Sequence, residues 1–376
     1  MQPGVLFLVS SLGVGGAERH VVSLLNNLDC RAYRLSLGYL KTDETLLPQL
    51  KAERLDAVIS LGVKHKLDLS VVRRLANYID ERNIQIVVSA NLYPVLYSML
   101  AARRVRSPPR QMEVFHTTSM QTLKETLQMS LYRALCRRLD LLVYVSRLQC
   151  AYWNAHRLRA RREIVIHNGI DTNHFRDRFT SAQKQAVRER YGFLASDYVI
   201  GICAVLRPEK AHGDFLLALA RLRSGGRPAK GLIIGDGTER AAIERQIKQL
   251  GIARDVVITG FQPDVREFIA ACDVMTLTSH AVETFSLAAL EAMAMAKPVV
   301  ITEIGGAAEQ VVPGENGFLF APGDLDALVQ FLSALSLPER RASMGRAAEA
   351  SVRERFTQSK MIEAYSRELA ALADSL

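Results

Sequence analysis

VMTLTSHAVETFSLAALEAMAMAKPVVIT, residues 274–302, reads as an apolar run, a loop, a small-residue helix and a second apolar run. Two short β-rich runs bracketing a helical pattern form the repeating unit of a parallel α/β sheet. The helix is expected from Phe285 to Ala296, apolar enough to be buried on most of its circumference. Yet Glu291 stands at its centre and Glu283 just before it. A buried, unpaired carboxylate is costly and normally shifts its pKa and neutralises. From the residues alone two readings stand. Either Glu291 sits on an exposed edge or pairs with a structural arginine, or it is a functional carboxylate.

The same alternation continues in both directions. The first half offers strand candidates VLFLVSS, YRLSLGYL, AVISLG, IQIVVSAN, MEVFHT, LLVYVS and IVIHNGI, and the second half VIGICAV, GLIIGDG, VVITGF, VMTLTS, PVVIT and GFLF. A polar, charged stretch from Asp171 to Asp197 interrupts the pattern and reads as a linker. The expected fold is α/β, with two Rossmann-like domains facing across a cleft: 1–185, then 186–358, with 359–376 crossing back to the first. Ligands in such sheets sit beyond the strand C-termini, so the loops there are where chemistry belongs.

Size and composition agree. A chain of 376 residues is long for one core. With 49% hydrophobic and 23% charged residues it reads as a soluble globular protein. No apolar run approaches the ~20 residues of a membrane-spanning helix. MQPGVLFLVSSLGVGG has no basic leader and reads as a first strand. Five scattered cysteines without a CxxC pair argue for reduced, cytosolic thiols and against a zinc site or disulfide framework.

Several loops carry candidate chemistry. In SSLGVGGAERH, Gly13, Gly15 and Gly16 allow a tight turn before a helix whose first amides suit an anion. A third glycine for G-x-G-x-x-G would fall at Glu18, so a dinucleotide fingerprint fails. CAVLRPEKAHGD puts Arg207 and Lys210 after a strand, suited to a diphosphate. Gly235 and Gly237 form another strand-to-helix turn, and Gly305 and Gly306 a further one. His116 ends the strand MEVFHT; a lone histidine there is commonly structural.

Together these stretches resemble the retaining glycosyltransferases of glycosyltransferase family 4, which have the two-Rossmann GT-B fold. The resemblance covers nearly the whole chain. It rests on GGAE (Gly15 to Glu18), IVIHNGID (Ile164 to Asp171), RPEK (Arg207 to Lys210), the Glu283/Glu291 pair and NGFLFAPGD. It implies that Glu291 holds the ribose of a nucleotide sugar and that Glu283, from the preceding loop, faces the transferred sugar. The amides of Phe285, Ser286 and Leu287 would meet the diphosphate at a helix start. Lys210 would stabilise the leaving group, and His116 would line the sugar pocket. Asn168 would lie near the cleft or merely shape its loop, and Phe261 would neighbour the nucleobase. Members commonly carry an arginine where this chain has Val205; Arg207, one strand-face repeat later, either substitutes or is an exposed loop residue. Asp324 and Asp326 follow a Pro-Gly turn and are expected to cap a helix, with no catalytic metal.

The resemblance implies transfer of a sugar from a UDP- or GDP-sugar to an acceptor hydroxyl with retention, without a cofactor. The alternatives are a sugar-nucleotide epimerase of the same fold and a non-catalytic sugar-nucleotide binder. The partner expectations follow from charge. Between Leu100 and Glu163 thirteen basic residues face four acids, a surplus equal to the +9 of the whole chain. No base-stacking pattern accompanies them, which disfavours nucleic acid. SMQTLKETLQMSLYRALCRRLDLL, Ser119 to Leu142, reads as an amphipathic helix suited to an anionic membrane surface. The expectation is a cytoplasmic enzyme, peripheral on the inner face of the membrane, with a lipid-linked acceptor.

Overall fold

Every apolar run quoted above becomes a strand. The computed structural model describes residues 2–13, 15–65, 68–118, 123–226 and 229–375, and of 123–128 and 131 the backbone alone. The chain divides into two units, Met1–Asn168 with Ser359–Leu376, and Gly169–Gln358.

In the first unit β1 (Gly4–Val9), β2 (Arg34–Tyr39), β3 (Ala57–Ser60), β4 (Ile84–Ala90), β5 (Arg110–Phe115), β6 (Leu141–Tyr144) and β7 (Glu163–Val165) form one sheet in the order β3-β2-β1-β4-β5-β6-β7. All its pairings are parallel. The crossovers run through α1 (Gly16–Asn27), α2 (Leu69–Glu81), α3 (Leu92–Ala102), α4 (Leu123–Cys136) and α5 (Arg147–Ala155). One core joins Leu6, Leu8 and Val87 of the sheet to Val72, Leu75 and Ile79 of α2. A second gathers Phe115, Tyr132, Tyr144 and Trp153.

In the second unit β8 (Tyr198–Cys203), β9 (Ala229–Ile234), β10 (Val256–Ile258), β11 (Val274–Leu277), β12 (Val299–Thr302) and β13 (Gly317–Phe320) pair in parallel in the order β10-β9-β8-β11-β12-β13. Its helices are α6 (Ser181–Arg190), α7 (His212–Ser224), α8 (Arg240–Gln249), α9 (Arg266–Ala271), α10 (Leu287–Ala294), α11 (Ala307–Gln310), α12 (Leu325–Ala334) and α13 (Pro338–Arg355); α14 (Gln358–Asp374) follows. Strand order reverses direction at β1/β4 and at β8/β11, the places where such sheets open for ligands.

Two boundaries differ from expectation. The units part at Asn168/Gly169, earlier than 185/186. Ile170 bridges to Thr357, and α6 ties to the second unit through Arg188, which donates to the Ala271 carbonyl at 2.8 Å and pairs with Asp273 at 2.9 Å. The helix expected over 119–142 is α4, Leu123–Cys136, and Leu141 already begins β6. Residues 119–122 of that stretch lie outside the described residues, as do the side chains of 123–128, Lys124 among them. Met129, Tyr132 and Cys136, at helical spacing, are buried in the core beside Phe115 and Trp153, so this part of the apolar face is used inside the protein. Among the described residues no helix is long and apolar enough to cross a membrane.

Candidate active site

In the second unit β8 ends at Cys203 and the chain reaches a 3₁₀ turn, Pro208–Lys210, before α7. The neighbouring β11 runs into the loop that holds Glu283. Three hydrogen bonds stitch the two together. Thr278 Oγ1 shares its one proton between the carbonyls of Lys210 and Ala211, each at 3.0 Å, and the His280 N–H donates to the Glu209 carbonyl at 2.9 Å. Lys210 Nζ then lies 2.6 Å from Glu283 Oε2 and donates to the Val282 carbonyl at 3.1 Å. These acceptors leave the third ammonium proton for an anion. Ala211 turns the chain into α7 with φ 46°, a left-handed conformation that strains any residue but glycine.

Glu283 lies in the loop, as expected. The helix after it is shorter than the stretch Phe285–Ala296. Ser286 is its N-cap, the hydroxyl accepting from the Ala289 N–H at 3.2 Å, so α10 begins at Leu287 and Phe285 falls outside, edge-on to Phe356. Ala296, at φ 56°, follows the helix end and leads into Lys297-Pro298. The Ser286 N–H is already engaged with Gln310 Oε1 at 3.3 Å, and Gln310 Nε2 donates back to the Ser286 carbonyl at 2.9 Å. The Ser286 amide, one of the three expected at the diphosphate, therefore already has an internal partner. Glu291 is 1% exposed, which excludes the exposed-edge reading.

The glycine turns serve close approach of backbone to backbone. A Cβ on Gly305, at φ 53°, would lie 1.8 Å from the Glu283 carbonyl oxygen, so the turn after β12 presses directly on the Glu283 loop. A Cβ on Gly235 would meet the Ala204 carbonyl at 2.1 Å, and one on Gly237 the Leu206 carbonyl at 2.4 Å. Phe261, in the loop after β10, is half exposed. Arg207 is exposed and lies beyond the end of β8, where the two-residue strand repeat no longer holds. The argument that places it on the face of Val205 therefore fails. Asp324 caps α12, accepting from the Ala327 N–H at 3.0 Å, and Asp326 pairs with Arg221 at 2.5 Å. Among the described residues no three His, Cys, Asp or Glu are grouped to hold a metal.

The first unit places Gly15 as the N-cap of α1 in extended backbone, with Gly16 opening the helix. A Cβ on Gly16 would meet nothing within 4 Å, whereas one on Gly15 would meet Glu18 Oε2 at 2.2 Å and one on Gly13 would meet Asp43 Oδ2 at 2.4 Å. His116 follows β5 on a pinned segment. Gln149 Nε2 donates to the carbonyls of Phe115 (2.8 Å) and Thr117 (3.0 Å), and Trp153 Nε1 donates to Thr117 at 2.9 Å. Burial lowers the His116 pKa to about 4, so the ring is neutral at pH 7. His20, which the sequence reading missed, stands 5.4 Å away ring to ring. Asn168 is buried. A histidine among the valines and leucines of α1 was the one available signal.

Residues 14–174 match the family model described as Glycosyltransferase Family 4, and residues 183–351 the model of Glycosyl transferases group 1. The chain is a GT-B glycosyltransferase of the family-4 type. N-acetyl-alpha-D-glucosaminyl L-malate synthase of Bacillus anthracis is 32% identical to it over 203 residues, 54% of this chain and 51% of that protein. Against that relative the match spans about half its length. The lipopolysaccharide core biosynthesis mannosyltransferase LpsB of Rhizobium meliloti is 29% identical over 250 residues, 64% of this chain and 67% of that protein. Anabaena HepE, solved with UDP, superposes with a TM-score of 0.84 at 24% identity, over 98% of this glycosyltransferase and 100% of HepE. HepE has also been solved with UDP-glucose, where the TM-score is 0.84 at 23% identity.

Proposed function

We propose that this chain transfers a hexosyl group from a UDP- or GDP-sugar to an acceptor hydroxyl with retention at the anomeric carbon. The observation that carries the reading is the Lys210–Glu283 pair, held at the β8/β11 switch point with Glu291 in the helix that follows. Lys210 presents a cation to the leaving diphosphate, Glu291 accepts from the ribose hydroxyls, and Glu283 faces the sugar. In the reaction the bond from the anomeric carbon to the diphosphate oxygen breaks. The acceptor oxygen bonds that carbon on the same face, and its proton passes to the departing phosphate oxygen. Catalysis then consists of positioning and of electrostatic stabilisation around an oxocarbenium-like state. Lys210 and backbone amides stabilise the charge of the diphosphate, and the reading requires no metal. His116 is the first unit's contribution to the sugar and acceptor.

The acceptor is lipid-linked, and the enzyme works on the cytoplasmic face of the membrane. Support comes from Arg103, Arg104, Arg106, Arg137, Arg138, Arg147, Arg157 and Arg159, all exposed in the first unit. Arg110 and Arg161 share the single carboxylate of Asp140, at 3.4 and 2.8 Å, which offsets one of their two charges. With Met129, Tyr132 and Cys136 committed to the core, attachment is electrostatic and salt-sensitive. A thermal-shift screen of UDP-, GDP- and ADP-sugars tests the donor, since a ligand that binds only the folded chain raises its melting temperature. A shift with one UDP- or GDP-sugar fits the reading; no shift with any of them contradicts it.

A further inference from the structure

His20 is the one polar residue among the buried positions of α1, which are otherwise Val21, Val22, Leu24 and Leu25. A buried imidazole needs hydrogen-bond partners to repay its lost hydration. Its Nε2 lies 3.1 Å from the hydroxyl of Tyr365, a wholly buried residue of α14. The two rings stand edge to face at 5.4 Å, and the His116 ring meets His20 on similar terms, at 5.4 Å and 69°. Tyr365, His20 and His116 thus form a row from the C-terminal helix to the end of β5.

Protonation states follow from the surroundings. Burial first, and the neighbouring His116 second, hold His20 well below the usual histidine range, while burial drives the Tyr365 phenol far above its own. Both groups are neutral at pH 7. A neutral phenol has one O–H to donate and a neutral imidazole one bare nitrogen to receive it, so the 3.1 Å contact fits the tautomer with Nε2 bare.

We propose that His20 is a positioning residue for His116, fixed in a single tautomer by the Tyr365 hydroxyl, so that α14 sets the plane of the imidazole at the end of β5. The proposal rests on the reading of His116 as the first unit's sugar-facing group. Its purpose is orientation: a ring that can rotate presents its N–H and its lone pair in many directions, and misplacement slows transfer without loosening donor binding.

The test uses the full chain labelled with [¹⁵N]histidine and the variants Tyr365→Phe, His20→Ala, His116→Ala and the double variant of both histidines. Tyr365→Phe removes one oxygen and keeps the ring contact, and thermal melting confirms that each variant folds. The expected result is that Tyr365→Phe moves the imidazole nitrogen resonances of His116 as well as those of His20. Nucleotide release is followed from whichever of UDP-glucose, UDP-N-acetylglucosamine or GDP-mannose the wild type uses. There Tyr365→Phe should lower kcat about tenfold, the loss of roughly one hydrogen bond, with donor KM little changed. Because His20 acts through His116, the double variant should be no slower than His116→Ala alone. Unmoved His116 resonances in Tyr365→Phe, or losses that multiply in the double variant, overturn the proposal by itself. Wild-type turnover by His116→Ala overturns the reading of His116 and the proposal together.

Discussion

Replacing Lys210 with alanine probes the donor site at its strongest contact. Lys210 Nζ and Glu283 Oε2 are 2.6 Å apart, with the two side chains 19% and 20% exposed. At an effective dielectric of about 20, unit charges some 4 Å apart attract by roughly 4 kcal/mol, and desolvation offsets most of this. A hydrogen bond to a charged group contributes about 1.5–3 kcal/mol net. If the third ammonium proton meets the diphosphate, Lys210→Ala loses that amount of nucleotide affinity, roughly 10- to 150-fold. Glu283→Gln keeps an acceptor for Lys210 but removes a negative charge beside the diphosphate, so nucleotide binding holds or tightens while transfer falls. Isothermal titration of UDP and GDP into wild type and both variants, with melting curves to verify folding, separates the two effects. Binding by Lys210→Ala at wild-type affinity would refute the assignment.

Other outcomes follow from the same geometry. Glu291→Gln should weaken nucleotide binding by about 10-fold or more through loss of a charged acceptor for the ribose, measured in the same titration. Transfer should survive EDTA; abolition with rescue by Mg²⁺ or Mn²⁺ would return Asp324 and Asp326 to consideration. Burial, and secondarily the charge of Lys210, lower the His212 pKa from 6.5 to about 4. The unfolded chain therefore takes up the proton first, and stability is lost as pH falls from 6.5 toward 4. His212→Gln should remove about 2 kcal/mol of the loss between pH 7 and pH 5, read from urea unfolding at both. Anionic liposomes should pellet the protein in low salt and release it in high salt, and Arg137→Gln with Arg138→Gln should weaken pelleting; equal recovery in every condition would leave a soluble enzyme.

The strands were legible because each is a run of valine, isoleucine and leucine closed by turn residues, a signal that is complete within a few positions. The charged residues stood out for a similar reason: Glu291 in an apolar helix, and Lys210 after an apolar strand. What escaped depended on distant partners or on local competition. Ser286 starts α10 later than hydrophobicity suggests because its hydroxyl satisfies the Ala289 amide. Arg207 was tied to Val205 by a strand repeat that stops at Cys203. The unit boundary at Asn168 depends on Ile170 pairing with Thr357, and His20 finds Tyr365 across 345 positions of sequence. No window of neighbouring residues contains such pairs.

The central claim is that a sugar moves from a nucleotide to an acceptor, and label transfer tests it most directly. The donor that shifts the melting curve is supplied with a radiolabelled sugar, together with membranes as the source of lipid acceptor. The account predicts label in the lipid extract in step with nucleotide release, both strongly reduced in Lys210→Ala. Nucleotide release with the label left in free sugar, or neither event, would contradict it.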